Sequence, residues 1–284
     1  MPVGWPESAT QAALELTQGV RAATRTEALL REAVRLALRQ ELANSPRFAD
    51  PLRLLSSGFK VYSQGDEDGI IREVFGRVGT SSRRFIELGI ESGLECNTAF
   101  LLIDGWSGAW IEGSADHAAK ARAAFAPYPV EIVNAIIDAE NADATIAGLA
   151  GGQELDLLSI DIDSNDYWVW QAITTVKPRL VVIEYNASMP PFVRKTVAYD
   201  PSRRWDGTNY FGASLGALEA LGRAKGYSLV GCSPAGVNAF FVRDDLVADR
   251  FRAPFTAINH YEPPRYLLAG PSGHPPGMGK WVDV

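Results

Sequence analysis

A chain of 284 residues with 46% hydrophobic content can bury one large core, and we expect one main domain with an N-terminal extension. Its formal net charge of −7 excludes a phosphate-backbone binder, which needs a concentrated basic face, so nucleic acid is not an expected partner. Cys96 and Cys232 are too few and too far apart for a disulfide scaffold or a four-ligand zinc site. Residues 1–7 lack the basic and apolar regions of a signal peptide, and no later stretch is apolar for the length of a membrane span. The expectation is a soluble, cytoplasmic protein.

Taken in chain order, residues 8–43 read as helical, with Leu14, Leu16, Val20, Leu29, Leu30, Val34, Leu36 and Leu38 interleaved with Arg and Glu. Such a segment packs across the main domain, forms a homo-oligomer contact, or caps the core as a solvated amphipathic helix pair. Residues 47–58 read as a linker, giving expected boundaries of 1–58, 59–250 and 251–284. Residues 61–71 start a helix whose polar opening holds Gln64 and Asp68. Phe85, Ile86 and Leu88 then form a strand that breaks into a turn carrying Glu87, Gly89 and Gly93, with Asn97-Thr98 able to open the next helix. Glu112 ends a second strand about 20 residues past the glycine turn, the spacing at which a carboxylate meets ribose hydroxyls in doubly wound folds.

Residues 130–138, 155–161 and 179–184 supply three more apolar runs with little alternation, as in a parallel sheet covered by helices on both faces. The runs 227–231 and 237–242 are joined by so short a turn, Cys232 to Gly236, that they must pair antiparallel. The tail from Pro254 is rich in Pro and Gly, and its aromatics Tyr261, Tyr266 and Trp281 suggest that it packs against something.

The acidic-x-Gly-x-x-x-Gly pattern of Glu87, Gly89 and Gly93 resembles the first motif of the S-adenosylmethionine-dependent methyltransferases, and the resemblance covers about residues 60–245. It implies an α/β Rossmann-like fold, a mostly parallel seven-stranded sheet with a C-terminal antiparallel hairpin. It also implies S-adenosylmethionine as cofactor, with Glu87, Gly89, Gly93, Asn97, Glu112, Asp138 and Asp161 as its binding residues. Asp138 is read as the partner of the adenine amino group, or else as a helix N-cap.

Asp161, Asp163 and Asp166 follow the fourth strand, and Glu184 and Asn186 follow the fifth. Adjacent strands lie about 4.8 Å apart, so these groups converge, and carboxylates so gathered raise one another's pKa or hold a hard cation such as Mg2+, Mn2+ or Ca2+. Asp161-Ile-Asp163 with Glu184 is similar to the metal site of macrocin-type sugar O-methyltransferases, which implies Asp161, Glu184 and Asn186 as ligands. The chain departs from that pattern where Glu184-Tyr-Asn186 replaces adjacent aspartates, and the acidic segment after the fourth strand is also similar to the FkbM-type methyltransferases. Asp163 is the first candidate base for an acceptor hydroxyl and His260 the second. The long connection from Asn186 to Asn209 is the expected acceptor site, with Trp205 and Tyr210 stacking on a sugar ring and Arg203 or Arg204 gripping an anionic substituent. The reading is O-methylation of a sugar, glycan or glycosylated small molecule. Its alternatives are a metal-independent enzyme with a His base, a catalytically silent nucleoside-binding assembly protein, and a nicotinamide oxidoreductase.

Overall fold

The computed structural model describes residues 7–268 and 277–278, with side chains from Thr24 onward. His274 and Trp281 lie outside the described residues, as do the side chains of Leu14, Leu16 and Val20. The chain divides into two compact units, Met1–Ser45 and Pro46–Val284. The first contains one continuous helix, α1 (Glu7–Ala43), where the sequence pattern also allowed a helix pair. Its surface carries Glu27–Arg31 and Glu32–Arg35 ion pairs at helical spacing, and Leu29, Leu30 and Leu36 are exposed.

In the second unit, α2 (Pro46–Ala49) and α3 (Glu67–Val78) precede β1 (Arg84–Leu88), α4 (Ala99–Ile103) and β2 (Ser107–Glu112). Then come α5 (Ala115–Phe125), β3 (Val130–Asn134), α6 (Ala142–Ala150), β4 (Leu157–Ile160), α7 (Asp166–Ala172) and β5 (Leu180–Glu184). α8 (Leu215–Lys225), β6 (Tyr227–Cys232), β7 (Asn238–Arg243), α9 (Asp244–Val247) and α10 (Ala257–His260) complete it. The seven strands form one sheet in the order β3-β2-β1-β4-β5-β7-β6. Neighbours among β1 to β5 pair parallel, and β7 runs antiparallel between β5 and β6. This is the Rossmann-like methyltransferase fold that the resemblance implied.

Successive strand side chains point to opposite faces, so each buried strand feeds two cores. Ile86, Ile111, Leu158 and Ile183 pack with Ile146, Trp170 and Leu218 on one face. Phe85, Trp110, Leu157 and Val182 pack with Ile71, Leu102 and Phe125 on the other. Ser114 and Ser214 cap α5 and α8 by accepting the His117 and Ala217 amides, and Gly226 closes α8 at φ 82°.

Two expected elements differ. The third strand stops at Asn134 rather than 138, because β3 is an edge strand with no further partner and Asp138 folds the chain back, its Oδ1 accepting the Glu140 and Asn141 amides. The apolar Ile136 is left exposed. Residues 47–58 are not a free linker: Leu54 is buried, Arg53 donates to the Asn259 carbonyl and side chain, and Asp50 receives both arms of Arg252. Those partners lie about two hundred residues away in sequence, beyond the reach of local pattern.

Candidate functional site

The carboxyl ends of β1, β2, β4 and β5 meet at one edge of the sheet, where ligands bind in open α/β folds. Gly89 follows β1 at φ +75°, and a Cβ there would lie 1.6 Å from the Asp161 carbonyl oxygen. Gly93, at φ +80°, would meet Trp110 and Phe125 at 2.8 and 2.9 Å. Both glycines therefore admit other parts of the chain itself, whereas the motif alone suggested room for a ligand.

Glu87 is only 2% exposed and turns inward. Its carboxylate accepts the Asn97 and Thr98 amides at 2.8 and 3.0 Å, the Thr98 hydroxyl at 2.6 Å and the Ser159 hydroxyl at 3.2 Å. This corrects the expectation of a direct ligand contact, because the acid instead ties down the loop. Asn97 likewise spends its side-chain amide on Ser159, and Thr98 rather than Asn97 takes the N-cap position of α4. Three further loop amides are also paired: Gly89 donates to Ile111, Gly93 to Ile90, and Glu91 to Glu112 Oε2 at 2.8 Å. Glu112 Oε1 accepts the Ser114 amide, which holds this carboxylate at the end of β2.

Across the sheet edge, Asp161, Asp163 and Glu184 each bring an oxygen within 4.8 Å of the others. Asp163 sits in the left-handed region at φ 62°. Asp166, at the start of α7, accepts the Ile162 amide at Oδ1, while Asp166 Oδ2 and Glu184 Oε2 are buried without a partner among the described residues. Burial, then the charges of Asp166, Asp163, Glu87 and Glu67, pushes Asp161 well above the usual carboxylate range. Burial, then the charges of Asp161, Asp166 and Asp163, raises Glu184 well above its ordinary value, burial raises Asp166 to about 6, and burial with Glu91 and Glu112 raises Asp163. An oxygen-only donor set with orphaned oxygens suits a hard cation.

Sequence reasoning missed the back wall of this basin. Glu67, 1% exposed, accepts the Gly65 amide and the Asn238 side-chain amide, and Asn238 pairs with Glu184 across β7 and β5. Glu67 lies next to Asp68 and 171 residues from Asn238, so only the fold reveals its role. Asp68 Oδ2 gathers three successive amides, of Val61, Tyr62 and Ser63, and so shapes the strap before α3.

The connection after β5 is a loop built on itself. Asn186 is fully buried and spends its amide on the Asn209 and Phe211 carbonyls and its Oδ1 on the Ser188 amide. That corrects its expected place among the metal ligands. Arg203 stacks over Tyr210 at 4.8 Å, Arg204 donates to the Pro201 and Arg203 carbonyls, and Trp205 donates to the Thr208 carbonyl. Trp205 and Tyr210 remain about half exposed, with the exposed Phe192 on the same connection. Asn165 holds the Asp200 carbonyl and Trp168 the Val197 carbonyl, anchoring the loop to the β4–α7 side.

No protein-family model matches the chain, and no curated protein does. Solved structures do resemble it in outline. The N-terminal domain of EvdMO1 with SAH bound is 16% identical, with TM-score 0.43, covering 75% of this chain and 94% of that one. The glycopeptide N-methyltransferase MtfA complexed with sinefungin is 15% identical, with TM-score 0.39, covering 64% and 87%. DesVI of Streptomyces venezuelae is 14% identical, with TM-score 0.42, covering 62% and 90%.

Two further expected residues fall away from the basin's chemistry. His260 is 3% exposed, stacked on Phe255 at an interplanar angle of 8°, and burial followed by the Arg53 charge lowers its pKa to about 4. It is a neutral packing residue rather than a base. Asp138 closes its own turn through Oδ1, and Asn141 rather than Asp138 takes the N-cap position of α6. Among the described residues, no helix is long and apolar enough to cross a membrane.

Proposed function

We propose that this protein is an S-adenosylmethionine-dependent O-methyltransferase acting on a hydroxyl of a sugar, glycan or glycosylated small molecule, assisted by a divalent cation. The observation that carries the reading is the inward-turned Glu87. Its carboxylate sits on the Asn97 and Thr98 amides, where a dinucleotide enzyme would receive pyrophosphate, and the amides of Gly89, Glu91 and Gly93 are already paired. A nicotinamide cofactor would therefore find those five amides already committed. The acids that line the basin instead favour a cofactor carrying an ammonium and a sulfonium. Bound S-adenosylmethionine would supply an electrophilic methyl group.

Glu112 is held at the end of β2 to accept from ribose hydroxyls. Asp161, Asp163 and Glu184 are the residues that would hold the cation, which would lower the pKa of an acceptor hydroxyl. Asp163, on the exposed side of the cluster, takes the hydroxyl proton with the oxygen it does not give to the cation. The loop at 186–214 offers the acceptor aromatic faces at Trp205 and Tyr210. The metal-free alternative keeps Asp163 but not His260 as base.

The test is calorimetric titration with S-adenosylhomocysteine, in Mg2+ and in chelator. Binding supports the reading, and a metal-sensitive heat supports the cation. Absence of binding in both buffers would remove the enzyme assignment and favour a non-catalytic role.

A further inference from the structure

Between residues 186 and 214, the basic Arg194, Lys195, Arg203 and Arg204 outnumber the acidic Asp200 and Asp206, in a chain whose formal net charge is −7. Both acids are engaged locally. Asp200 Oδ1 accepts the Ser202 amide and hydroxyl, and Asp206 Oδ1 accepts the Thr208 amide and hydroxyl. The sequence leaves Arg203 and Arg204 equivalent, but their contacts separate them. Arg204 spends its guanidinium on the Pro201 and Arg203 carbonyls. The Arg203 guanidinium lies over the Tyr210 ring at 4.8 Å, with Nε buried, and makes no hydrogen bond or ion pair with the described residues.

Hydrogen bonds tie this stack to both strand ends that carry the carboxylate cluster. The Asp200 carbonyl accepts the Arg203 amide at 3.0 Å and the Asn165 side-chain amide at 2.8 Å, and Asn165 lies between Asp163 and Asp166 in the chain. The Asn186 side-chain amide donates to the Asn209 and Phe211 carbonyls, which flank Tyr210, and Asn186 lies two residues past Glu184. One member of the Arg203–Tyr210 pair is thus fastened to the β4 side and the other to the β5 side. Trp205 is fixed by its indole bond to the Thr208 carbonyl and an edge contact with Phe211, yet stays half exposed.

A guanidinium stacked on an aromatic face holds its N–H groups as a rigid planar fork, the shape that matches a carboxylate or phosphate. A buried Nε with no partner from the chain is a donor that calls for an acceptor from outside it. Beside a group of carboxylates, an anionic ligand is repelled unless a fixed cation receives it, and Arg203 is a cation not committed elsewhere. We propose that Arg203 binds an oxyanion of the acceptor, a carboxylate or a phosphate, so that the acceptor is an anionic sugar rather than a neutral one. Its ring rests against Trp205, and its hydroxyl reaches the carboxylate cluster. This rests on the methyl-transfer reading and adds the charge class of the acceptor.

The experiment measures methyl transfer from labelled S-adenosylmethionine in Mg2+ by the wild type, Arg203→Gln and Arg203→Lys. The acceptors are methyl glycosides of hexuronic acids, hexose 1-phosphates and neutral methyl hexosides. Affinity for S-adenosylhomocysteine is measured in parallel. The wild type should use one anionic series with kcat/KM at least about 10-fold above the neutral one. Arg203→Gln should lower that value about 10- to 100-fold, mostly through KM, and leave the neutral acceptors within about threefold of wild type. Arg203→Lys keeps the charge but loses the planar fork, and should recover part of the loss. Cofactor affinity should stay unchanged. Preference for uronates identifies the oxyanion as a carboxylate, and preference for hexose phosphates identifies it as a phosphate. Neutral acceptors used as well as anionic ones, an equal fall on both in Arg203→Gln, or a wild type that binds S-adenosylhomocysteine but methylates no anionic acceptor would overturn the proposal. A wild type that fails to bind S-adenosylhomocysteine would instead overturn the methyl-transfer reading on which it rests.

Discussion

Replacing Gly89 by alanine tests the closest approach at the sheet edge. The added methyl would lie 1.6 Å from the Asp161 carbonyl oxygen and 2.8 Å from its carbon, both backbone atoms, so no rotamer change relieves the clash. The residue also holds φ +75°, which costs an L side chain roughly 1–2 kcal/mol. Overpacking against backbone adds about 1–3 kcal/mol, since β1 and β4 must part where the Asp161 amide donates to the Leu88 carbonyl at 3.2 Å. The sum, about 2–5 kcal/mol, corresponds to a fall in Tm of roughly 5–15 °C for a unit of this size. Urea unfolding and calorimetry measure it without reference to any ligand. A variant melting within about 1 °C of the wild type would refute the account of this turn.

Gly148→Ala, in α6 with nothing within 4 Å of the new methyl, should do the reverse and stabilise by about 0.5–1 kcal/mol in the same assay. Asp68 and Asp166 have folded pKa values raised to about 6, chiefly by burial, so the stability each contributes is full below about pH 4 and lost as pH rises through 6. Unfolding followed in chelator should show that loss, up to about 3 kcal/mol per group, and Asp166→Asn should flatten it. Added Mg2+ should raise Tm more at pH 7.5 than at pH 5, because the cluster must be ionised to bind; equal shifts would count against the cation. His260 has the opposite sign: with its pKa lowered to about 4, stability falls as pH drops from 6.5 towards 4, and His260→Phe should remove that trend while leaving S-adenosylhomocysteine affinity intact.

How much of this was legible in the sequence depends on how far each residue's partners lie. The buried strands announce themselves as apolar runs, and the five-residue turn after β6 fixes the antiparallel end, whereas the sheet order, which sets β1 beside β4, is not carried by local signals. The convergence of Asp161, Asp163 and Glu184 was also readable, because strand ends in a parallel sheet must be neighbours. What pattern does not show is how polar side chains spend their hydrogen bonds. Asn186 looks like a ligand until its amide is found holding Asn209 and Phe211, and His260 looks like a base until Phe255 and Arg53 enclose it. Glu67 and Asn238 carried no local signal at all.

The electrostatics of the sheet edge follow from that distribution. Isolated buried carboxylates are costly, and Glu87 avoids the cost by collecting backbone and hydroxyl donors. Asp166 and Glu184 keep buried oxygens that nothing among the described residues satisfies, although the same fold supplies Glu87 and Glu112 with amide donors. Amide-satisfied acids thus shape the half towards β1 and β2, and unsatisfied acids the half towards β4 and β5. Positive charge is wanted in the second half even if the proposed cationic cofactor occupies the first. An acceptor hydroxyl alone brings no charge, so a cation or shared protons must balance Asp161, Asp163 and Glu184. Chelation separates the two: protons would leave turnover intact in chelator with a steep fall above the raised pKa values, whereas a cation would make turnover chelator-sensitive at every pH.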